Sequence, residues 1–222
     1  MKERFKRNIG ALTAEEQKIL SGKKVFVAGC GGLGGYIIEM LSRLGCLNIT
    51  VADGDVFGET NLNRQILCTE NNLGKSKAQE AAVRIKEINS DINIIAHSEY
   101  ITEENAEKLL QGHDVIIDAL DNIPSRLLLE KYAEKAGIPI IHGAIQGWLA
   151  QIAVIMPGDR LLEKLYKSRE SAPPPVPSFT PAFCASLQVS EAVKLLCGKE
   201  TLAKGELLVF DLTDNSINKF TL

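Results

Sequence analysis

The chain has 222 residues, 45% of them apolar, and its 25 Lys and Arg against 28 Asp and Glu give a net charge of −3. That apolar share suffices for a two-sided core in one large domain, and the mild acidity argues against nucleic acid as a general partner. No apolar run is long enough to span a bilayer, no signal sequence opens the chain, and five cysteines, an odd number, suit a reducing cytoplasm better than a disulfide framework.

A basic start (Lys2, Arg4, Lys6, Arg7) precedes a short apolar run at 24–28 that predicts a strand. The cluster Gly29-Cys30-Gly31-Gly32-Leu33-Gly34 then predicts a tight turn, and the amphipathic stretch 33–45 a helix. Glycine suits this turn because a Cβ would hold the backbone away from a phosphate or ribose and keep the helix from packing close to the strand. A second strand at 48–52 ends at Asp53, about twenty residues beyond the glycines, where a carboxylate accepts hydrogen bonds from ribose hydroxyls. Together these features point to a nucleotide. The glycine turn alone fits a Rossmann oxidoreductase or a plain structural turn as well as anything sharper. The run from Asp53 to Gln65 separates these readings, because an NAD enzyme usually continues its fold without so dense a polar cluster. It carries Asp55, Asn61, Asn63 and Arg64. Arg64 offers a planar fork for phosphate oxygens, and Asn63 can hold that fork or bond phosphate itself.

Lys77 begins a predicted helix at 76–89, whose free N–H groups favour anions. Gly74-Lys75-Ser76 looks like the end of a P-loop, but that motif needs a glycine five residues earlier, where Thr69 stands. A strand at 92–97, a helix at 103–111 and a strand at 114–118 follow. The last of these runs into Asp118-Ala119-Leu120-Asp121-Asn122, carboxylates at the end of a parallel strand where open α/β sheets bind ligands. One of them is a candidate ligand for magnesium on a triphosphate, although Asp121 or Asn122 would equally cap the helix expected at 124–136. Strands are expected at 138–142 and from Trp148 to Met156. The proline-rich stretch Ser168–Pro181 reads as a surface loop over a groove for an extended tail, with Trp148 as a possible lining residue. A late helix covers Ser186–Leu196, and a hairpin pairs 207–212 with 216–222 through Asp214-Asn215. Right-handed crossovers make the early strands parallel. The expected fold is α/β: a Rossmann-like, mostly parallel sheet with helices on both faces and an antiparallel C-terminal extension. It forms a single domain, 1–222, with an N-terminal arm (1–22), a nucleotide-binding core (23–145) and a C-terminal part (146–222).

Five of these motifs, in this order, resemble the ThiF/MoeB/HesA group, relatives of the ubiquitin-activating enzymes. They are the glycine cluster, Asp53-Gly54-Asp55, Asn61-Leu62-Asn63-Arg64-Gln65, Gly74-Lys75-Ser76-Lys77-Ala78 and Asp118-Ala119-Leu120-Asp121-Asn122. The likeness extends back to Arg4-Phe5-Lys6-Arg7-Asn8 and forward to Ser186-Leu187-Gln188-Val189-Ser190-Glu191-Ala192. It implies adenylation: the Gly-Gly carboxylate of a small ubiquitin-like sulfur carrier, of the thiamin or molybdopterin type, attacks the α-phosphate of ATP and releases pyrophosphate. The resemblance assigns Asp53 to the ribose and Gly32 to the nucleotide, flanked by Gly29, Gly31 and Gly34. Arg64, Lys77 and Asn63 fall to the phosphates, with Asp55, Asn61 and Asn122 nearby, and Asp121 to magnesium. It also assigns Arg7 to the triphosphate of the other subunit of a homodimer, against the alternative of a solvated basic tail.

Departures from the group are equally definite. Cys30, Cys46, Cys68, Cys184 and Cys197 include no Cys-x-x-Cys pair, so a structural zinc is not expected. Cys184, just beyond the proline-rich stretch, is the thiol to question for a bond to the carrier; the alternative is a small buried hydrophobe. Adenylation is accordingly expected to be the whole task, with a separate persulfide-bearing protein completing sulfur transfer. Two other readings stand beside this one. The acceptor is the carboxylate of a modified tRNA nucleoside, as for threonylcarbamoyladenosine dehydratases, or of a peptide; or the protein is a non-catalytic nucleotide-binding or NAD-dependent one.

Overall fold

The structure is a computed structural model that describes residues 2–167 and 175–222. It contains one 8-stranded sheet of order β3-β2-β1-β4-β5-β6-β7-β8. The strands are β1 (Lys24–Ala28), β2 (Asn48–Ala52), β3 (Asn93–His97), β4 (Val115–Asp118), β5 (Ile140–Gln146), β6 (Leu149–Ile155), β7 (Glu206–Asp211) and β8 (Ser216–Thr221). β1 to β5 are parallel, whereas β5 to β8 pair antiparallel through successive neighbours. The expected Rossmann-like sheet with an antiparallel extension is therefore what the chain builds.

β1 shows why it takes the centre. Val25, Phe26, Val27 and Ala28 are each 0% exposed, so both faces of the strand are covered. Val25 and Val27 join the cluster beneath α2 (Gly32–Leu44), α3 (Lys77–Ile88) and α7 (Phe179–Leu196). Phe26 and Ala28 join the opposite one, beneath α4 (Ala106–Leu110), α5 (Ile123–Ala136) and α6 (Leu161–Tyr166). α7 lies across α2, β5 and β6, and Gln188 from its middle fits against Gly143 while donating to the Asp118 carbonyl (2.8 Å) and the Ile141 carbonyl (3.2 Å).

The differences from the expected elements have local causes. β5 starts after Pro139, whose missing N–H cannot enter the ladder. Only Ala106–Leu110 of the helix expected at 103–111 forms, because the Asn105 side chain accepts from the Thr102 N–H (2.8 Å) and holds the preceding residues in a turn. α1 (Ala14–Gly22) and α6 were not foreseen; α1 is announced by the reciprocal cap between Thr13 and Glu16. α7 reaches back to Phe179, so Pro181 sits in its first turn. Residues 168–174 of the expected proline-rich loop lie outside the described residues, and the remainder, Pro175–Ser178, is held where the Gly147 N–H donates to the Pro175 carbonyl (2.9 Å). The C-terminal hairpin forms as expected, with Asn215 in the left-handed region at φ 61°.

Candidate active site

The register of β1 sets the site. Ala28 stands beside Ala52 of β2 and Asp118 of β4, so the chain leaves three adjacent strands at one edge as Gly29, Asp53 and Ala119. This is the crevice at the carboxyl ends of parallel strands, where the order reverses direction between β1 and β4. Gly29 has φ 97°, and a Cβ on it would stand 2.7 Å from the Ala119 carbonyl oxygen. A Cβ on Gly34 would lie 1.9 Å from the Gly29 carbonyl oxygen, so only glycine lets the start of α2 pass this close to the end of β1. Gly31 precedes the helix as its cap residue, leaving the N–H groups of the first turn pointing toward the crevice.

Asp53 braces this turn. One of its carboxylate oxygens accepts from the Cys30 N–H (2.7 Å) and the other from the Asp55 N–H (2.8 Å). Burial raises its carboxyl above the ordinary value, opposed by those two hydrogen bonds and by Lys77. Each oxygen keeps lone-pair capacity for a ribose hydroxyl.

The polar run folds back over the glycines. The Arg64 stem lies 3.8 Å from where a Gly32 Cβ would be, beside Pro181 of α7, and its guanidinium donates to Asn63 (2.9 Å) and to the Thr60 carbonyl (3.0 Å). Asn63 in turn donates to the Val176 carbonyl (3.1 Å), tying the cation to the segment that leads into α7. Asn61 is turned to a local task, its side chain accepting from the Gly58 N–H (2.9 Å). Lys77, the first residue of α3, is only 7% exposed, and its ammonium meets Asp55 at 2.8 Å. Burial pushes the Asp55 carboxyl upward, but hydrogen bonds from Lys77 and Tyr100 outweigh it and hold the group below its ordinary value. Arg64, Lys77 with Asp55, and Asp53 thus gather around the glycine turn.

Of the two residues weighed as a helix cap, Asn122 takes that role and Asp121 does not. Asn122 caps α5 by accepting from the Ser125 N–H (2.9 Å), whereas Asp121 is exposed and its carboxylate meets only the Asn122 amide (3.3 Å) among the described contacts. Among the described residues no group of three or more His, Cys, Asp or Glu forms a metal cluster. A lone exposed carboxylate fits magnesium, which retains waters and takes its other oxygens from substrate phosphates. Arg7 lies elsewhere. It is exposed on the turn of Glu3–Asn8, whose Phe5 packs on Gly45 at the far end of α2. That helix places it about 20 Å from the glycine turn of its own chain.

Several neighbours of the site escaped the sequence reading. Tyr100 lies over Gly54, where a Cβ would stand 2.6 Å from its ring, and its hydroxyl donates to Asp55. Gln65, 6% exposed, packs its amide against Gly31. Behind the Asp121 loop lies a buried group of Asp118, Arg126, His142 and Tyr166, joined by the half-buried Gln151. Tyr100 had a visible signal, standing just beyond the carboxyl end of a predicted strand; apart from Asp118, the group behind the loop had none, because its members come from five separate elements. Trp148 is 49% exposed, with its ring 4.5 Å from that of Phe179. Cys184 is 0% exposed, its thiol directed at the carbonyls of Gln151 (3.6 Å) and Ala144 (3.9 Å), and burial pushes its pKa up to about 12.

The chain is similar to known proteins over nearly its whole length. The ThiF family profile matches residues 5–222. The chain is 31% identical to the SAMP-activating enzyme E1 of Haloferax volcanii over 96% of its own length and 82% of the relative. It is 33% identical to a sulfur carrier protein adenylyltransferase of Thermus thermophilus over 94% of its length and 82% of the relative. In structure it resembles E. coli MccB, solved with ATP, at a TM-score of 0.86 over 100% of this chain and 71% of that one, with 23% identity.

Proposed function

The chain belongs to the ThiF family, and from that premise we propose that it is an ATP-dependent adenylyltransferase that activates the Gly-Gly carboxylate of a small ubiquitin-like sulfur carrier, of the thiamin or molybdopterin type. Its named relatives are an adenylyltransferase and an activating enzyme. The observation that carries the reading is the Arg64 side chain, whose stem packs beside Gly32 at the start of α2 and whose guanidinium is fixed by Asn63. A fixed cation beside free helix N–H groups suits a polyanion, and activating a carboxylate requires one anion to be brought against another.

In this reading the ribose hydroxyls donate to Asp53, the backbone of Gly31 and Gly32 lies along the nucleotide, and Arg64 and Lys77 hold the phosphate chain. Asp55 keeps Lys77 extended toward the crevice. The carrier carboxylate attacks the α-phosphorus, the bond to the bridging oxygen breaks, and pyrophosphate leaves with its electron pair. The cations work by stabilising charge that builds on the phosphate oxygens and by holding attacking and leaving oxygens in line. Asp121 would hold magnesium, which when bound neutralises the triphosphate. The residues fit a homodimer in which Arg7 serves the partner's site, since its own site is out of reach. The buried, high-pKa Cys184 supports adenylation as the whole task. Five unpaired cysteines suit a reducing cytoplasm, and among the described residues no helix is long and apolar enough to cross a membrane.

The test is ATP–pyrophosphate exchange with purified protein. Exchange is expected only when a Gly-Gly-ended carrier is present. Exchange with a peptide or tRNA-nucleoside carboxylate in its place would overturn the carrier assignment while leaving adenylation standing, and no exchange with any carboxylate, together with binding of NAD, would overturn both.

A further inference from the structure

The Asp121 loop is pinned on both sides of the carboxylate. On one side the Leu120 N–H donates to Asp118 Oδ1 (3.0 Å) and its carbonyl accepts from Arg126 Nη2 (2.5 Å); on the other, Asn122 is fixed as the cap of α5. Asp118 and Arg126 are the anchors, and both are buried, at 0% and 7% exposure. Their orientation is set from further away.

His142 Nδ1 donates to Asp118 Oδ2 (2.7 Å), which leaves Nε2 as an acceptor. The Tyr166 hydroxyl lies 3.2 Å from that nitrogen and accepts from Arg126 Nη1 (3.0 Å) and Gln151 Nε2 (2.8 Å). These contacts suit a neutral imidazole, whose Nε2 lone pair faces both the Tyr166 hydroxyl and the Gln151 amide nitrogen (3.2 Å each). Desolvation lowers the His142 pKa against the pull of Asp118, which keeps the ring in this neutral form. Tyr166 is the last residue of α6, the helix that leads toward α7, so the end of α6 and the Asp121 loop belong to one hydrogen-bonded unit.

We propose that His142 and Tyr166 are positioning residues for adenylation, holding the Asp121 carboxylate in place through Asp118 and Arg126. This rests on the reading of Asp121 as the magnesium-binding carboxylate. Neither residue touches the nucleotide. Their effect is to remove the alternative orientations of two buried charged side chains, and with them the alternative paths of the loop.

Two substitutions break the link differently. Tyr166→Phe removes the hydroxyl alone, and His142→Asn keeps a donor toward Asp118 while losing the reach to Tyr166. In calorimetric titrations of ATP at graded Mg2+, each is expected to raise the half-saturating Mg2+ about tenfold. In exchange assays each lowers kcat by a similar factor and leaves KM for the carrier unchanged. The double variant is expected to be no worse than the worse single one, because both cut the same chain of bonds. Half-saturating Mg2+ within about twofold of the unmodified protein in either folded variant overturns the inference, as does loss of kcat and of carrier affinity in parallel with a falling Tm, the mark of a purely structural role. Asp121→Asn separates the two levels: if that variant retains its Mg2+ dependence, the reading of Asp121 fails; if it loses it while Tyr166→Phe does not, only the positioning role fails.

Discussion

In the proposed site Arg64 and Lys77 would meet the phosphates under different terms. Lys77 is already neutralised by Asp55, whereas among the described residues Arg64 meets only neutral acceptors, so its charge is the more available to a nucleotide. Arg64→Ala is therefore expected to cut exchange by about a hundredfold or more, with the fold intact by circular dichroism. Cys184→Ala should keep exchange and carrier adenylate formation near unmodified levels, and a carrier thioester abolished by that substitution would disprove the adenylation-only reading. Glu39 supplies a pH dependence. Burial pushes its carboxyl up, but hydrogen bonds from Arg84 (2.9 Å) and Arg43 (2.9 Å) outweigh this and hold it below its ordinary value of 4.5. A depressed carboxyl contributes stability that is present above that ordinary value and lost as pH falls through the lower folded one. Glu39→Gln should thus cost about 1 kcal/mol in denaturant unfolding at neutral pH, and the gap should close as the pH is lowered beyond 4.5.

At the scale of elements, α2 owes its position to a missing methyl group. Gly34→Ala places a carbon 1.9 Å from the Gly29 carbonyl oxygen, and relief requires moving the helix off β1. The expected result is loss of the ATP-induced rise in Tm, together with destabilisation of several kcal/mol if the chain folds at all. Gly22→Ala at the end of α1, where a Cβ meets nothing within 4 Å, should instead leave stability unchanged or improve it by about 0.5 kcal/mol. Sequence made the first of these legible because close helix–strand approach is a local property of the strand, turn and helix. The same holds for Asp53, Lys77 and the cap at Asn122, each set by its place at an element's end. Asn61 was legible as part of a motif but not in its task, since whether an amide faces a ligand or caps its own turn depends on the path of the chain. His142 and Tyr166 could not be read at all: their partners are supplied by the lateral order of strands and by α5 and α6, helices that meet only once packed on one face of the sheet.

For the molecule as a whole, the position of Arg7 distinguishes a self-contained site from a shared one. If the site borrows this residue from a partner, Arg7→Ala and Asp121→Asn protomers, each inactive alone, should regain about a quarter of unmodified activity when unfolded together and refolded as a mixture, because half the dimers are mixed and each has one complete site. No recovery would mean that Arg7 serves its own chain or none. The alternation of apolar and polar runs made the parallel half of the sheet readable from its sequence, and the hairpin at the end had its own turn signal. The insertion of α7 between these halves was not readable, because it is decided by which faces of α2, β5 and β6 remain uncovered once the sheet has formed.

That insertion also imposes an order in time. Every group proposed above to face the phosphates precedes α7 in the chain, yet Pro181 flanks Gly32 and Gln188 fastens the strand end that carries Asp118. A nascent polypeptide emerging from the ribosome would display a complete set of chemical groups well before it owned the buttress that seats them, so competence should arrive late and abruptly during synthesis rather than accumulate with length.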